Sequence, residues 1–260
     1  PAPVTVTYKE VGDVKLMMDV YSPVEVKPGT PAVVVIHGGA WVGGDRAQMA
    51  TLCQSMAAQG MVAATVSYRL SPTHKWPAMI EDVQDAVRYV RAHAKELNVD
   101  QKKIGAAGAS AGGHLSLLLG TTDGWPNGNS TGKASSKVNA VFNLFGPFDV
   151  GQDFGPMISN LLAQQLLGKK VEDSAEDIKN FSPATYVTKD DAPVFTVQGK
   201  SDTLVPFKQA ERLDAALKAV GVSHTLRLID GMGHGIDEKK KEQTDAVAEA
   251  IAWLKMTLGS

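Results

Sequence analysis

The sequence predicts an α/β protein built on a mostly parallel β-sheet with helices on both faces. Short, apolar, β-rich runs alternate along the chain with longer amphipathic stretches. The run Ala32–Ile36 (AVVVI) is wholly apolar, which is typical of a strand that is buried on both faces. Strands separated by helices of this length form βαβ units, and the strands of such units pair in parallel.

The individual elements follow from this alternation. The eight strand candidates are Val4–Tyr8, Val14–Tyr21, Ala32–Ile36, Met61–Tyr68, Lys103–Ala109, Val138–Phe145, Pro193–Gly199 and Ser223–Asp230. The first two can form an antiparallel hairpin through a turn at Gly12 and Asp13. The helix candidates are Arg46–Gln59, Ala78–Leu97, Ala111–Leu119, Phe207–Val220 and Glu238–Leu258. Gly60 and Gly221 follow two of these helices as stop signals.

We expect one domain over residues 1–260, because the chain has neither an internal repeat nor a linker that would divide it. Two segments interrupt the alternation. Thr121–Lys137 is rich in Gly, Asn and Ser and predicts a surface loop. Residues 148–192 form a long, mixed stretch, which predicts a lid or insertion on the core; an ordinary helix with two long connections is the alternative.

Composition excludes several classes of partner. The net charge of −2 provides no strong field for nucleic acid. The single cysteine, Cys53, excludes disulfides within the chain and cysteine-rich zinc sites, and we expect it in the core. No apolar run approaches the roughly 18 residues that span a bilayer, so membrane insertion is not expected. The chain starts at Pro1 rather than Met, and we expect a secreted or periplasmic location slightly ahead of a cytoplasmic one.

The sequence also predicts no metal and no cofactor. Its six histidines form neither an H-x-H nor an H-E-x-x-H pattern. Neither a G-x-G-x-x-G nor a G-x-x-x-x-G-K-[ST] element is present, so nucleotide binding has no support. The expected partner is a small molecule, and the oligomeric state stays open.

Residues Gly108–Gly112 (GASAG) match the G-x-S-x-G pattern. The match lies between a strand candidate and the helix candidate Ala111–Leu119, which is the strand–turn–helix setting that the pattern needs. A sharp turn pushes the serine out of the sheet edge, and the helix behind it points free N–H groups at developing negative charge. Ser110 is therefore the candidate nucleophile; the alternative is a glycine-rich turn that binds phosphate or no ligand.

A serine hydroxyl is a poor nucleophile until a base takes its proton. His234 lies in the glycine-rich loop Asp230–Gly235 (DGMGHG), between the last strand candidate and the last helix candidate. Such a loop can present an imidazole, so His234 is the candidate base. A solvated loop histidine is the alternative.

The base in turn needs a carboxylate that fixes its tautomer and stabilises the imidazolium. Asp202 follows the seventh strand candidate and is our candidate, with a helix-capping aspartate as the alternative interpretation. Asp149 and Asp153, which follow the preceding strand candidate, stay open as rivals. The chain order Ser110, Asp202, His234 is the order found in α/β-hydrolases.

The loop His37–Trp41 (HGGAW) comes directly after the strand candidate Ala32–Ile36. Side chains this small let a loop bring backbone N–H groups close to an oxyanion. The candidate donors are the N–H groups of Gly39 and Ala40, with that of Ala111, just beyond the serine, as the third. We expect His37 to shape this loop rather than to act in proton transfer.

Taken together, the motifs resemble the α/β-hydrolase superfamily, and within it the hormone-sensitive-lipase-type esterases and, more closely, the bacterial feruloyl-esterase-like domains. The resemblance rests on Asp19–Pro23, His37–Trp41, Tyr68–Pro72, Pro77–Asp82, Gly108–His114, Asp202 with Val205–Pro206, and Gly233–Gly235. It spans nearly the whole chain. It implies a mostly parallel eight-stranded sheet, hydrolysis of carboxylic esters without a cofactor, and a structural pair of Arg69 and Asp82.

The chain departs from the family pattern at two places. Ala40 stands where the oxyanion motif usually has its third glycine, which should be harmless if the N–H of Ala40 is used. Strand-like sequence begins almost at once, so we expect little or no N-terminal helical cap and an open pocket. An open pocket makes long-chain lipid substrates less expected.

The sequence therefore predicts a serine carboxylesterase for short-acyl or aromatic esters, including feruloyl or acetyl esters of plant polysaccharides. The expected catalytic residues are Ser110, Asp202 and His234. Trp41, Tyr68 and Trp76 are expected as pocket walls, with core packing as the alternative. Two other functions stay open: an arylformamidase of the kynurenine formamidase type, which shares the His-Gly-Gly-x-Trp loop, and a non-catalytic binding protein on the same scaffold.

Overall fold

The protein is organised around a single eight-stranded sheet. The computed structural model describes residues 2–124 and 134–259. The strands are Val4–Val11 (β1), Val14–Tyr21 (β2), Thr30–Ile36 (β3), Val62–Val66 (β4), Val99–Ala109 (β5), Val141–Leu144 (β6), Val194–Gly199 (β7) and His224–Ile229 (β8). They lie in the order β1-β2-β4-β3-β5-β6-β7-β8. All eight predicted strands are present, with ends that differ by a few residues.

The sheet is mostly parallel, as predicted. The strands from β3 to β8 pair in parallel with their neighbours, and only β2 breaks the pattern by pairing antiparallel with both β1 and β4. The hairpin of β1 and β2 turns at Gly12 and Asp13, with Val11 opposite Val14. The carboxyl ends of the six parallel strands therefore meet at one edge of the sheet, where loops can collect functional side chains.

Each predicted helix has a counterpart in the structure. The helices are Ala50–Ala58 (α1), Ala78–Ala92 (α2), Ala111–Thr121 (α3), Pro156–Asn160 (α4), Ala175–Phe181 (α5), Lys208–Ala219 (α6) and Lys241–Gly259 (α7). The predicted helix Arg46–Gln59 begins as a 3-10 turn. In the described part of the chain, no helix combines the length and apolarity needed to cross a bilayer.

Helix α2 is shorter than predicted, and strand β5 is longer than predicted. The helix ends at Ala92 and the strand already starts at Val99. Asn98, in the left-handed region with φ +54°, reverses the chain between them. Of the predicted loop Thr121–Lys137, residues 125–133 lie outside the described residues.

Two apolar cores cover the two faces of the sheet. On one face the sheet packs against α2, α3 and α6, with Val83, Leu115 and Leu213 among the buried side chains. On the other face it packs against α1 and α7, with Cys53 and Leu254 both fully buried. The free thiol is a core residue, as the sequence predicted, and burial raises its pKa.

Residues 148–192 form a folded insertion against the α2 and α3 face. The insertion contains α4, a π-helical turn over Leu161–Leu167 and α5. Leu166 and Phe181 are buried in the core, and the Leu166 carbonyl accepts a hydrogen bond of 3.0 Å from the N–H of Trp76. The insertion is thus part of the core packing; its action as a lid stays a prediction.

A buried ion-pair network fixes α2 against the sheet. The Asp82 carboxylate is inaccessible to solvent, and both of its oxygens accept hydrogen bonds of 2.8 Å from the guanidinium of Arg69. Lys9 of β1 donates to the same carboxylate at 2.7 Å. The pair that the family resemblance implies is therefore present, and it connects β1, the end of β4 and α2.

We expect Asp82→Ala to lower the free energy of unfolding by about 3–5 kcal/mol, because it removes the buried anion that the largely buried cations of Lys9 and Arg69 share and leaves them only the more exposed Asp85 and Glu81. Urea denaturation followed by circular dichroism measures the change. Glu81→Ala is the matched control: Glu81 pairs with the same guanidinium at 3.3 Å but is half exposed, so its removal should cost no more than about 1 kcal/mol. Equal losses in the two variants would contradict this role for Asp82.

Candidate active site

Ser110 occupies a sharp turn between β5 and α3. Its backbone has φ +55° and ψ −119°, which an L-residue adopts only when its surroundings hold it there. A Cβ at Gly108 would lie 2.3 Å from the carbonyl oxygen of Gly112, and one at Gly112 would lie 2.0 Å from that of Ile36. Both glycines of the G-x-S-x-G pattern are therefore required by backbone packing, as the steric argument from the sequence predicts.

The three side chains predicted as catalytic meet at the carboxyl edge of the sheet. Nε2 of His234 lies 2.8 Å from Oγ of Ser110, and Nδ1 of His234 lies 2.7 Å from Oδ2 of Asp202. The imidazole is about one-sixth exposed, and the ring of Phe145 packs edge-on against it at 4.8 Å. The geometry allows the imidazole to accept the serine proton while the carboxylate accepts the Nδ1 proton.

Asp202 is buried and fully hydrogen-bonded. Its Oδ1 accepts from the N–H groups of Leu204 and Val205, both at 2.9 Å. Burial alone would raise the pKa of this carboxyl group, but the hydrogen bond from His234 and the two backbone donors outweigh it and hold the pKa below its usual value. The carboxylate stays ionised, as an orienting partner for an imidazole must.

Gln198 is a further member of the site that our sequence reasoning missed. This residue of β7 is inaccessible to solvent, and its Nε2 lies 3.1 Å from the same Asp202 oxygen that faces His234. A glutamine within the buried strand Val194–Gly199 is an unusual choice. That polar interruption is the signal that could have identified it.

The two rival carboxylates do not reach the imidazole. The Asp153 carboxylate is bound by Arg212, whose Nε lies 2.7 Å from it, and this partner lowers the pKa of Asp153. The Asp149 carboxylate accepts a local hydrogen bond of 3.3 Å from the N–H of Gly151. Among the described residues, only Asp202 has a carboxylate within hydrogen-bonding distance of His234.

The loop after β3 lies against the serine turn. A Cβ at Gly38 would lie 3.3 Å from the Cβ of Ser110. Gly39 and Ala40 adopt positive φ values of +117° and +51°, and no described residue accepts a hydrogen bond from either N–H. The N–H of Ala111 is also unpaired within α3, since it belongs to the first turn. The three candidate oxyanion donors are thus available beside Ser110.

His37 and Tyr68 hold this loop. Their rings stack at 4.4 Å, and the Tyr68 hydroxyl donates to the His37 carbonyl at 3.0 Å. Nδ1 of His37 lies 2.6 Å from the Gly38 carbonyl, and burial lowers the pKa of the imidazole. Tyr68 is 3 % exposed, so the structure places it in the core beneath the loop rather than in a pocket wall.

Trp41 is likewise a core residue. It is 5 % exposed, and its ring makes edge contacts with His114 at 5.1 Å and Phe181 at 5.0 Å. Trp76 is half-buried and meets Phe181 at 4.6 Å. Burial lowers the pKa of His114 to about 3, so this ring is neutral. The packing alternative therefore describes Trp41 and Tyr68, because the insertion supplies Phe181; for Trp76, substrate contact stays a prediction.

The chain is similar to proteins named as esterases. Esterase LipC of Mycobacterium tuberculosis is 33% identical over 229 residues, which are 85% of this chain and 57% of LipC. The chain spans about half the length of the curated relatives it matches.

Solved esterase structures share nearly the whole fold. The Thermogutta terrifontis esterase Est2 with bound propionate is 28% identical, with a TM-score of 0.83 over 98% of this chain and 94% of that one. The same enzyme phosphonylated by sarin is 29% identical, with a TM-score of 0.86 over the same shares. A truncated carbohydrate esterase from gut microbiota is 26% identical, with a TM-score of 0.84 over 100% of this chain and 98% of that one.

These likenesses confirm the α/β-hydrolase fold that the motifs predict. A family model matches residues 18–217, which are well over half of the chain and include Ser110 and Asp202. The chain is therefore a member of the BD-FAE family.

Proposed function

We propose that this chain is a serine carboxylesterase that hydrolyses carboxylic esters through Ser110, His234 and Asp202. The observation that carries the proposal is a continuous chain of hydrogen bonds. It runs from Oγ of Ser110 to Nε2 of His234 at 2.8 Å, and from Nδ1 of His234 to the buried carboxylate of Asp202 at 2.7 Å. Membership of the BD-FAE family and the esterase names of the relatives support it.

The first half of the reaction forms an acyl-enzyme. Oγ of Ser110 attacks the ester carbonyl carbon while Nε2 of His234 takes the hydroxyl proton. Asp202 remains ionised and stabilises the imidazolium that results. The N–H groups of Gly39, Ala40 and Ala111 receive the oxyanion, and each well-placed donor of this kind contributes roughly 3–4 kcal/mol in the transition state.

The second half restores the enzyme. The carbon–oxygen bond to the alcohol breaks, and the imidazolium of His234 gives its proton to the leaving oxygen. A water molecule then attacks the acyl carbon, with His234 as its base, and Ser110 is released with the carboxylic acid. Ala40 already adopts a positive φ of +51°, a conformation that favours glycine, so the missing third glycine is no obstacle.

We propose short-acyl or aromatic esters as the substrates, among them acetyl or feruloyl esters of plant polysaccharides. The short acyl groups are supported by the similar Thermogutta esterase, which was solved with bound propionate. A carbohydrate as the alcohol part of the ester is supported by the similar carbohydrate esterase from gut microbiota.

Replacing the nucleophile tests the proposal directly. We expect Ser110→Ala to lower the hydrolysis of p-nitrophenyl acetate by at least about 10⁴-fold, because no other group can form the acyl-enzyme. Circular dichroism should show an unchanged fold. Ser201→Ala, at an exposed serine near the same edge, is the matched control and should keep full activity.

A fluorophosphonate probe and a second substrate separate this proposal from the alternatives. The probe should label wild type and not Ser110→Ala, in line with the organophosphorus reactivity of the similar esterase. Unlabelled wild type would favour a binding protein. Faster turnover of N-formylkynurenine than of phenyl acetate would favour an arylformamidase.

The role of Asp202 as the partner of His234 is tested by two isosteric variants. We expect Asp202→Asn to lower kcat by about 10⁴-fold, because an amide at this position no longer fixes the Nδ1–H tautomer of His234. Asp149→Asn, at the rival position, should leave kcat within about twofold of wild type. Steady-state kinetics on p-nitrophenyl acetate measures both, and the reverse ranking would transfer the role to Asp149.

A further inference from the structure

We infer that an apolar groove between α1 and α7 binds the alcohol half of the ester as an extended aliphatic chain. The inference rests on the proposed function, because it places a substrate at Ser110. The groove has a volume of about 670 Å³, which is ample for a small organic molecule. It lies on the sheet face opposite the insertion 148–192.

The floor of the groove is hydrocarbon. Leu144 and Phe145, at the end of β6, form its base, and Leu52, Ile236 and Val247 form half-buried walls. The polar groups lie on the rim, and Glu238 is the single charged side chain among the groove's lining residues. An occupant therefore gains mainly by removing apolar surface from water, at roughly 25 cal/mol per Å².

Small side chains at helical spacing open the groove. Ser55 and Ala58 are three positions apart on α1, and Thr244 and Ala248 are four positions apart on α7. Residues at these spacings share one helix face, so each helix turns a row of short side chains towards the other. The groove is long enough for a chain of several carbons, since its lining residues run along α1 from Thr51 to Gln59, about 12 Å at 1.5 Å per residue.

One end of the groove reaches the reacting groups. Ala109 lines it and directly precedes Ser110. Phe145 lines it with the ring that packs against the imidazole of His234, and Ile236 lies two residues beyond that histidine. A molecule in the groove therefore lies beside the residues that flank the site of bond cleavage.

Proton transfer from His234 to the leaving oxygen indicates that the groove holds the alcohol half of the ester. The leaving oxygen must lie against Nε2 of His234 to receive its proton. Since Phe145 and Ile236 border both this histidine and the groove, the carbon chain on the leaving oxygen enters the groove. The groove thus adds short-acyl esters of apolar alcohols to the substrates proposed above.

Alkyl acetates of increasing alcohol length test the assignment. For wild type we expect kcat/KM to rise by roughly two- to fourfold per added methylene from ethyl to octyl acetate. Ser55→Phe and Ala248→Phe fill the groove from either helix at exposed positions, so the fold should survive. Each should lower kcat/KM for octyl acetate at least tenfold and leave ethyl acetate within twofold. Ala252→Phe, at an exposed alanine of α7 that does not line the groove, is the matched control.

Two outcomes would overturn the inference: unchanged octyl acetate kinetics in both filled variants, or losses confined to ethyl esters of long acyl chains. Binding of octan-1-ol, followed by titration calorimetry, gives a readout that needs no turnover. Binding that Ser55→Phe and Ala248→Phe abolish supports the groove, even if no ester is hydrolysed and the proposed function fails. Absence of octan-1-ol binding to wild type would refute the groove, while hydrolysis of p-nitrophenyl acetate would leave the proposed function standing.

Discussion

The close approach of the serine turn to the end of β3 is the constraint on which the candidate site depends. β3 and β5 are neighbours in the sheet, with Ile36 opposite Gly108, and Gly112 packs directly on the Ile36 carbonyl. Because the two strands end side by side, the loop from β3 and the first turn of α3 bring their free N–H groups to one place. The candidate oxyanion donors are thus produced by backbone packing and need no side chain, which is why an alanine at position 40 is compatible with the proposed role.

The relay depends on a buried charge that is fully satisfied. An ionised carboxylate is costly to bury unless hydrogen-bond donors replace its water. Asp202 receives donors at both oxygens, from Leu204 and Val205 on one side and from Gln198 and His234 on the other. With its charge stabilised in this way, the carboxylate favours an imidazolium beside it without taking the proton itself. The proposed proton transfers therefore stay between serine, histidine and substrate.

The sequence predicted the features that are encoded locally. Strand and helix alternation placed all eight strands, and the motifs around Ser110, Asp202 and His234 contain the residues that the structure brings together. The features it did not predict depend on partners distant in sequence. Trp41 looked like a pocket residue, but its surroundings are decided by Phe181 of the insertion. The groove likewise depends on α1 and α7, which lie far apart in the sequence and both line it. Gln198 is the exception, because its partner Asp202 is only four residues away.

The two faces of the sheet are packed differently beside the candidate site: one face is filled by large side chains, and the other has a groove. On the α2 and α3 face, Phe181 of the insertion packs against Trp41 of the loop after β3 and fills the space between them with large aromatic rings. On the α1 and α7 face, short side chains leave a groove beside the ends of β5 and β6. This difference between the faces depends on the volumes of the side chains and not on a sequence motif. In the complex that we infer, the alcohol chain beside His234 lies in this groove, so that exposed alanines and serines, rather than the reacting residues, would select the alcohol.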